Sequence, residues 1–309
     1  MKTIDVENGP KGLPAIVQGC MRMPALTVDE AARVIRNAYD LGVTFFDHAT
    51  CYGKNGEAET RFGDAFLKTG IRREDVFLQS KCAIYPERSV FDWSRESVLK
   101  AVDEILTRLR TDYLDALLLH RPDLLFDPEE VAQTFDILYA SGKVRHFGVS
   151  NLAPMQIELL KKYLNRPLVF NQLQFSLEQS QLVDQALYVN NKTTEMSVSR
   201  DCGLLDYCRL HGITIQAWSP LQYGFFQGVF IDAPQFPQLN GALEMVGRKY
   251  GLSKTATAIA WILRHPAKMQ VVVGTMTPER LKDICTACNV VLEREDWYEL
   301  YLASGKFLP

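Results

Sequence analysis

Eight short apolar segments recur along the chain, each separated from the next by a longer amphipathic stretch. The segments are rich in β-branched and aromatic residues, which is typical of buried strands. They lie at residues 15–21, 44–48, 76–81, 114–120, 146–150, 169–174, 214–219 and 271–274. Successive segments are typically about 30 residues apart, the length of one βα unit. Because eight such units fit within 309 residues, the pattern favours an α/β fold of the closed (β/α)8 type, a TIM barrel, over an open sheet.

The stretches between the apolar segments contain helix start signals. Thr27 and Glu30 have the spacing of a capping box before an amphipathic run. At two further places a capping residue stands directly before a proline suited to the first helical position, at Asp127-Pro128 and at Thr277-Pro278. These signals predict helices between the strands.

Two connections are too long for simple turns. Residues 176–200 follow the sixth strand and residues 220–240 follow the seventh. Loops of this length are usually functional or disordered, and both leave the strand ends at which barrels place their sites. The tail at residues 291–309 predicts an extra C-terminal helix. Because no linker, repeat or low-complexity segment interrupts the pattern, we expect residues 1–309 to form a single domain.

Charge and hydropathy exclude several classes of function. The net charge is −3 and no run of five like charges occurs, which argues against nucleic-acid binding. No apolar run approaches the roughly 20 residues of a membrane span, and the N-terminus lacks the apolar core of a secretory signal. The seven cysteines are irregularly spaced, so a reducing, cytoplasmic location is expected. Cys285 and Cys288 form a lone CxxC inside a predicted helix, and no metal site is expected there.

Polar residues that could take part in catalysis follow three consecutive strands. Asp47, Lys81 and His120 each end an apolar segment, so they should project into one basin, and Tyr52 lies on the loop beyond Asp47. A lysine beside a phenol would lower the pKa of Tyr52, which suits a general acid in carbonyl reduction. His120 could orient the carbonyl oxygen. Taken singly, these residues have simpler explanations: a structural ion pair, an interior histidine and a packing tyrosine.

The same residues belong to a set of motifs that resembles the aldo-keto reductases. The runs LLLHRPD at 117–123 and SGKVRHFGVSN at 141–151 are most similar to the bacterial YdhF-like oxidoreductase branch of that superfamily. The remaining matches, in chain order, are Phe46-Asp47, Tyr52-Gly53, Lys81, Asn171-Gln172, Trp218-Ser219-Pro220-Leu221, Val273-Gly274-Thr275 and Pro278-Glu279-Arg280-Leu281. They span about 270 residues.

The resemblance implies a (β/α)8 barrel enzyme that transfers hydride between a nicotinamide cofactor and a carbonyl or alcohol. The family's catalytic tetrad falls on Asp47, Tyr52, Lys81 and His120. In that scheme Tyr52 donates the proton, Lys81 held by Asp47 tunes Tyr52, and His120 orients the substrate. The implied activity is NADP(H)-dependent reduction of aldehydes or ketones to alcohols, with a small molecule as the only partner and a monomer or weak homo-oligomer as the assembly.

The resemblance also assigns residues to the cofactor. Those expected around the nicotinamide are Ser150, Asn151, Gln172 and Trp218, and those on the loop over the pyrophosphate are Ser219 and Leu221. Those at the adenosine end are Gly274, Thr275, Arg280 and Asp283. A guanidinium matches phosphate geometry, so Arg280 favours a ribose 2′-phosphate and hence NADP(H).

The chain departs from the family pattern at the adenosine end. Many members have a lysine where this sequence has Gly274, an asparagine where it has Ile284, and a glutamate where it has Asp283. Dual use of NADP(H) and NAD(H) therefore stays open. His48 and Cys51 are also uncommon between Asp47 and Tyr52, and they either line the pocket or pack beneath it.

The sequence leaves the substrate open within the aldehydes and ketones. Candidates for the apolar lining of the pocket are Met21, Tyr85, Phe126 and Phe225. Arg121 and Arg88 would favour an anionic substrate if they faced the pocket, but the sequence favours a surface or loop salt bridge for each.

Two other functions are compatible with the sequence. A Schiff-base aldolase would use Lys81 as nucleophile but would give Tyr52 and the amide set no role. A non-catalytic cofactor-binding subunit would share the scaffold without turnover, since fold alone does not determine function.

Overall fold

Eight parallel strands close into a barrel in the structure, a computed structural model that describes residues 1–309. In chain order they are β1 (Ile16–Gly19), β2 (Phe45–Asp47), β3 (Phe77–Cys82), β4 (Leu114–Leu119), β5 (Val144–Ser150), β6 (Leu168–Gln174), β7 (Thr214–Trp218) and β8 (Gln270–Val273). Each strand pairs in parallel with the next along the chain, and β8 pairs with β1. The predicted (β/α)8 fold is confirmed.

Helices surround the barrel on its outer side. They are α1 (Val28–Asp40), α2 (Glu57–Phe66), α3 (Arg95–Leu109), α4 (Pro128–Ala140), α5 (Pro154–Lys161), α6 (Gln181–Leu187), α7 (Leu204–Leu210), α8 (Pro237–Tyr250), α9 (Lys254–Arg264), α10 (Pro278–Cys285) and α11 (Arg294–Ala303). Because the helix faces and the outer faces of the strands are apolar, they enclose a core of 70 buried residues.

The helix start signals in the sequence are largely confirmed. Thr27 and Glu30 form the capping box of α1, and the Asp127 side chain accepts from two backbone N–H groups at the start of α4. Thr277 is the exception. Helix α10 does begin at Pro278, but the Thr277 side chain caps nothing, and its own backbone N–H donates to Thr275 Oγ1 at 3.2 Å. The first turn of α10 is therefore without a side-chain cap.

The barrel interior contains a small apolar cluster at the end away from the expected site. The cluster has nine residues, and its members from the first residues of β2 and β6 are Phe45, Val169 and Phe170. The N-terminal ribbon, in which Thr3–Ile4 pairs with Leu13–Pro14, adds Val6 and Leu13 to this cluster. The ribbon therefore closes the end of the barrel opposite the expected site.

Both long connections contain local structure. Residues 176–200 include α6 and a 3-10 turn, and residues 220–240 include a ribbon that pairs Gln222–Tyr223 with Gly228–Val229. Helix α8, which packs against α9 and α11, is an addition that the sequence analysis did not predict. The predicted C-terminal helix is α11. Cys288 lies in a 3-10 turn after α10 rather than in the helix itself. No helix has the length and apolar character needed to cross a bilayer.

Candidate active site

A single large cavity of about 760 Å³ opens at the carboxyl ends of the strands. Its lining includes every catalytic and cofactor residue expected from the sequence except Lys81 and Asp283, namely Asp47, Tyr52, His120, Ser150, Asn151, Gln172, Trp218, Ser219, Leu221, Gly274, Thr275 and Arg280. These residues come from loops and strand ends far apart in sequence. Closure of the barrel therefore brings the expected residues around one space.

The Asp47–Lys81 ion pair lies in the wall of the cavity. Lys81 Nζ lies 2.6 Å from each carboxylate oxygen of Asp47, and both side chains are almost completely buried. The two residues occupy inward positions of the paired strands β2 and β3. An ion pair with this geometry offsets the desolvation that either charge alone would suffer.

A group of four glutamines supports this ion pair from inside the barrel; the sequence pointed only to Gln172, and for the cofactor rather than for this role. Gln79 Nε2 donates to Asp47 Oδ1 at 2.7 Å, and Gln172 Nε2 donates to the same oxygen at 3.1 Å. Both amides also donate to Gln216 Oε1, at 2.8 and 3.0 Å. Gln216 Nε2 in turn donates to Gln270 Oε1 at 2.9 Å. This glutamine layer, formed by Gln79, Gln172, Gln216 and Gln270, fixes the orientation of the Asp47 carboxylate.

Tyr52 lies over the ion pair. Lys81 Nζ lies 5.1 Å from the centroid of the Tyr52 ring, and the phenol makes no hydrogen bond within the protein. Burial and the Asp47 carboxylate raise the pKa of Tyr52 well above its ordinary value. The expectation that Lys81 lowers this pKa is therefore wrong, because burial raises it and Asp47 neutralises the lysine. The phenol remains protonated across the neutral range.

His120 faces Tyr52 across the cavity, with ring centroids 5.9 Å apart and nearly perpendicular planes. Burial, assisted by Lys81 and Arg121, lowers the pKa of His120 well below its ordinary value, so the imidazole is neutral. Cys51 Sγ lies 3.6 Å from His120 Nδ1. Burial raises the pKa of the Cys51 thiol, which keeps it protonated and able to donate to Nδ1. Cys51 therefore belongs to the cavity wall.

His48 does not belong to the cavity. Its ring is completely buried and packs edge-on against Phe62 of α2, with centroids 4.5 Å apart. Neither ring nitrogen has a hydrogen-bond partner. Burial and the nearby Lys81 charge lower the pKa of His48 to about 3. Of the two alternatives left open by the sequence, packing applies to His48 and pocket lining to Cys51.

A chain of hydrogen bonds connects the amides expected around a nicotinamide. Trp218 Nε1 donates to Asn151 Oδ1 at 3.3 Å, and Asn151 Nδ2 donates to Ser150 Oγ at 2.7 Å. Ser150 Oγ donates to the Gln172 carbonyl at 2.8 Å. Asn151 has a φ of 58°, a left-handed conformation that asparagine tolerates better than most residues. These bonds hold the indole and the amides against one another before any ligand binds.

The opposite end of the cavity is more open. Arg280, in the first turn of α10, is exposed and makes no ion pair. Arg22, which the sequence analysis missed, lines the same end and donates from Nη1 to the Gly274 carbonyl at 3.0 Å. A Cβ on residue 274 would lie only 3.0 Å from this nitrogen, so Arg22 occupies the space next to the glycine.

Besides Lys81 and His48, four residues suggested by the sequence lie outside the cavity lining. Asp283 accepts from Ser253 Oγ at 2.6 Å, at the start of α9. Tyr85 bonds to Ser97, and Phe126 packs against Trp93. Arg88 is exposed on the ribbon after β3, in the turn between Ile84–Tyr85 and Val90–Phe91. By contrast, the cavity lining includes Met21, Arg121 and Phe225.

Comparison with known proteins agrees with this architecture. The model of the Aldo/keto reductase family matches residues 15–301. The chain is 34% identical over 278 residues to the oxidoreductase YdhF of Escherichia coli, covering 87% of this chain and 86% of YdhF. It is 34% identical over 275 residues to a 6-dehydroglucose reductase of Agrobacterium fabrum, covering 86% and 84% of the two chains.

A solved structure extends the comparison to three dimensions. The thermostable aldo-keto reductase Tm1743, crystallised with the inhibitor epalrestat, superposes with a TM-score of 0.76 at 26% identity, covering 98% of both chains. The family match extends over almost the whole barrel, and the relatives match it over most of their length. The chain therefore belongs to the aldo/keto reductase family.

Proposed function

We propose that this protein is an NADP(H)-dependent reductase of aldehydes and ketones in which Tyr52 is the proton donor. The observation that supports this most directly is the state of Tyr52. Its phenol is protonated, free of hydrogen bonds within the protein, and faces a cavity that it shares with a neutral histidine. A group that holds its proton until a carbonyl oxygen arrives has the property required of a general acid in reduction.

The cavity has the polar groups that a nicotinamide dinucleotide requires. Ser150, Asn151 and Gln172 line the cavity together with Trp218, whose indole N–H donates to Asn151 Oδ1. At the far end, the first turn of α10 lacks a side-chain cap, so its N–H groups and dipole favour an anion. When bound, the reduced nicotinamide supplies the hydride that reaches the carbonyl carbon.

The remaining chemistry belongs to side chains of this protein. With the Cys51 thiol donating to Nδ1, the imidazole of His120 carries its proton on Nε2 and donates it in a hydrogen bond to the carbonyl oxygen. Tyr52 transfers its hydroxyl proton to the same oxygen. Lys81 lies beneath the Tyr52 ring with its charge balanced by Asp47, and the charge of Arg121 favours the phenolate left behind. Asp47 and the glutamine layer hold Lys81 in that position.

Preference for NADP(H) is supported by Arg280. Its guanidinium is exposed at the end of the cavity opposite Tyr52 and has no carboxylate partner, so it is available to a 2′-phosphate. Arg22 lies at the same end, but its Nη1 already donates to the Gly274 carbonyl.

The aldolase alternative is disfavoured by the position of Lys81. Its Nζ is fully buried, is held by both oxygens of Asp47 and does not line the cavity. A substrate carbonyl therefore cannot approach the amine without breaking the ion pair, as formation of a Schiff base requires.

The first test is consumption of NADPH or NADH by the purified protein with a panel of aldehydes, ketones and sugars. We expect aldehyde-dependent oxidation of NADPH, faster than that of NADH. Binding of NADPH without turnover of any member of the panel would favour the non-catalytic alternative. Failure to bind either dinucleotide would contradict the cofactor assignment.

A further inference from the structure

The charged groups on the cavity wall differ in whether they have a partner. Asp47 is paired with Lys81, and Asp232 is paired with Lys254. Arg280 is unpaired and is assigned above to the cofactor. Arg121 is the other arginine on the wall that makes no hydrogen bond or ion pair through its guanidinium.

Arg121 directly follows His120, so it belongs to the same end of the cavity as Tyr52 rather than to the Arg280 end. Its guanidinium carbon lies 5.8 Å from the ring centroid of Trp218 and 5.8 Å from that of Phe225. Burial lowers the pKa of Arg121, and the polar groups that act on it electrostatically are Tyr52 and Cys51. The cation therefore lies between two aromatic rings, close to the proposed proton donor.

The backbone around Arg121 is fixed without using its side chain. The Arg121 carbonyl accepts from Trp93 Nε1 at 2.9 Å. Asp123, the nearest carboxylate in sequence, accepts from the backbone N–H groups of Trp93 and Leu125 at 2.9 and 2.8 Å. Because this carboxylate is committed to the loop backbone, it does not neutralise the arginine.

Arg121 is a half-buried cation without a counter-ion, so it has lost part of its hydration. The contacts that compensate for this loss are those with the two aromatic rings. An incoming anion would restore the missing interaction, and a guanidinium matches a carboxylate through two parallel hydrogen bonds. The neighbouring rings of Trp218 and Phe225 offer apolar surface to the carbon skeleton of the same molecule. Phe225 is 64% exposed, so its ring is accessible to such a molecule.

We propose that Arg121 binds a carboxylate of the substrate, and that the enzyme prefers aldehydes or ketones that also carry a carboxylate group. This inference rests on the proposed reductase function and specifies its substrate class. Tyr52 and His120 would bind the carbonyl oxygen, while Arg121 would bind the other end of the molecule. Arg121 is thus a specificity residue rather than a proton donor.

The test compares two substrates that differ in charge, 4-carboxybenzaldehyde and its neutral methyl ester, methyl 4-formylbenzoate. The measured quantity is the ratio of their kcat/KM values with NADPH. We expect the wild type to prefer the carboxylate, and we expect Arg121→Met to reduce the ratio by roughly 10- to 100-fold, the usual size of a hydrogen bond to a charged group. Raising the ionic strength should reduce the wild-type ratio in the same direction.

Arg88→Met is the matched control, because Arg88 is exposed on the ribbon after β3 and lies outside the cavity. It removes the same charge and should leave the ratio at its wild-type value. Arg121→Lys should restore only part of the preference, because an ammonium cannot form the paired bonds of a guanidinium.

Three results would overturn the inference in different ways. A wild type that reduces the ester but shows no preference for the carboxylate would refute the role of Arg121 while leaving the reductase function intact. An unchanged ratio in Arg121→Met with weakened NADPH binding, measured by fluorescence quenching, would assign the arginine to the cofactor. Reduction of neither aldehyde by the wild type would count against the proposed function itself.

Discussion

The two ends of the cavity differ in whether their polar groups find partners within the protein. At the tetrad end, Asp47 and Lys81 neutralise each other in the barrel wall, and Tyr52 and His120 are held in their neutral forms by burial. At the far end, Arg280 is exposed and unpaired next to an uncapped helix. Apart from Arg121, the charged groups of the first end are paired within the fold, whereas the second end has a charge and N–H groups that only a ligand can satisfy.

This difference predicts different effects for substitutions at the two ends. A substitution that breaks the ion pair leaves a buried charge and should affect the folded state as well as catalysis. A substitution at the far end should affect binding alone, because exposed groups without partners contribute little to stability. Each prediction below tests one side of this division, in order of decreasing effect.

The largest expected effect is on turnover. Tyr52→Phe should lower kcat by roughly 10²- to 10⁴-fold, the usual contribution of a general acid. Because the phenol makes no hydrogen bond within the protein, the melting temperature and the NADPH affinity should stay near wild type. Turnover within a few-fold of wild type would mean that another group donates the proton.

The next effect is on stability. Lys81→Met should lower the free energy of unfolding by about 3–5 kcal/mol, because it leaves the Asp47 carboxylate buried without its partner. The measurement is urea unfolding at pH 7. The double variant with Asp47→Asn should recover much of the loss, and Arg280→Ala should stay within about 0.5 kcal/mol of wild type. Equal losses of unfolding free energy in Lys81→Met and Arg280→Ala would contradict the proposed difference between the two ends.

At the far end the effect should appear in binding. Arg280→Ala should raise the Kd for NADPH by roughly 10- to 100-fold, as expected for loss of a charge-assisted hydrogen bond. The Kd for NADH, which lacks the 2′-phosphate, should change much less. Fluorescence titration with both cofactors measures the difference, and parallel losses would show that Arg280 does not contact the 2′-phosphate.

A smaller effect, on the pH dependence of stability, is expected from His48, which packs behind the tetrad. The pKa of buried His48 is lowered to about 3, so between that value and about 6.5 the unfolded chain binds a proton that the folded protein does not. Stability conferred by neutral His48 is complete above pH 6.5 and is lost as the pH falls. Wild type should therefore lose about 2 kcal/mol more than His48→Leu between pH 7 and pH 5. Urea unfolding at both pH values measures this, and parallel losses in the two proteins would show that His48 is not buried in its neutral form.

Sequence reasoning was most successful where local signals and topology agree. Short β-branched runs, the Thr27 capping box and the polar residues at strand ends all depend on neighbours in the chain, and the structure has them close to their expected positions. The barrel then brings Asp47, Tyr52 and His120 together, because parallel strands present their carboxyl ends at one face.

The glutamine layer could not be recognised in the same way. A glutamine in a strand, such as Gln79 or Gln216, has the same alternation as a residue facing solvent. Only closure of the barrel turns it inward and supplies its partners from strands more than a hundred residues away. The same limit applies to Arg121 and to Tyr52. Whether a charge is paired, and therefore which way it moves a neighbouring pKa, depends on contacts that are distant in sequence.

The pairing of β8 with β1 has a consequence for how the molecule is made. Val271 aligns with Ile16, and Gln270 Nε2 donates to the Pro14 carbonyl at 2.8 Å across 256 positions of chain. Contacts of such long range form slowly, because the loop-closure entropy must be overcome before they contribute. A nascent chain leaving the ribosome cannot seal the barrel until residue 273 has emerged. Until then its first strand exposes an unpaired edge, the state in which a growing chain is most prone to aggregate.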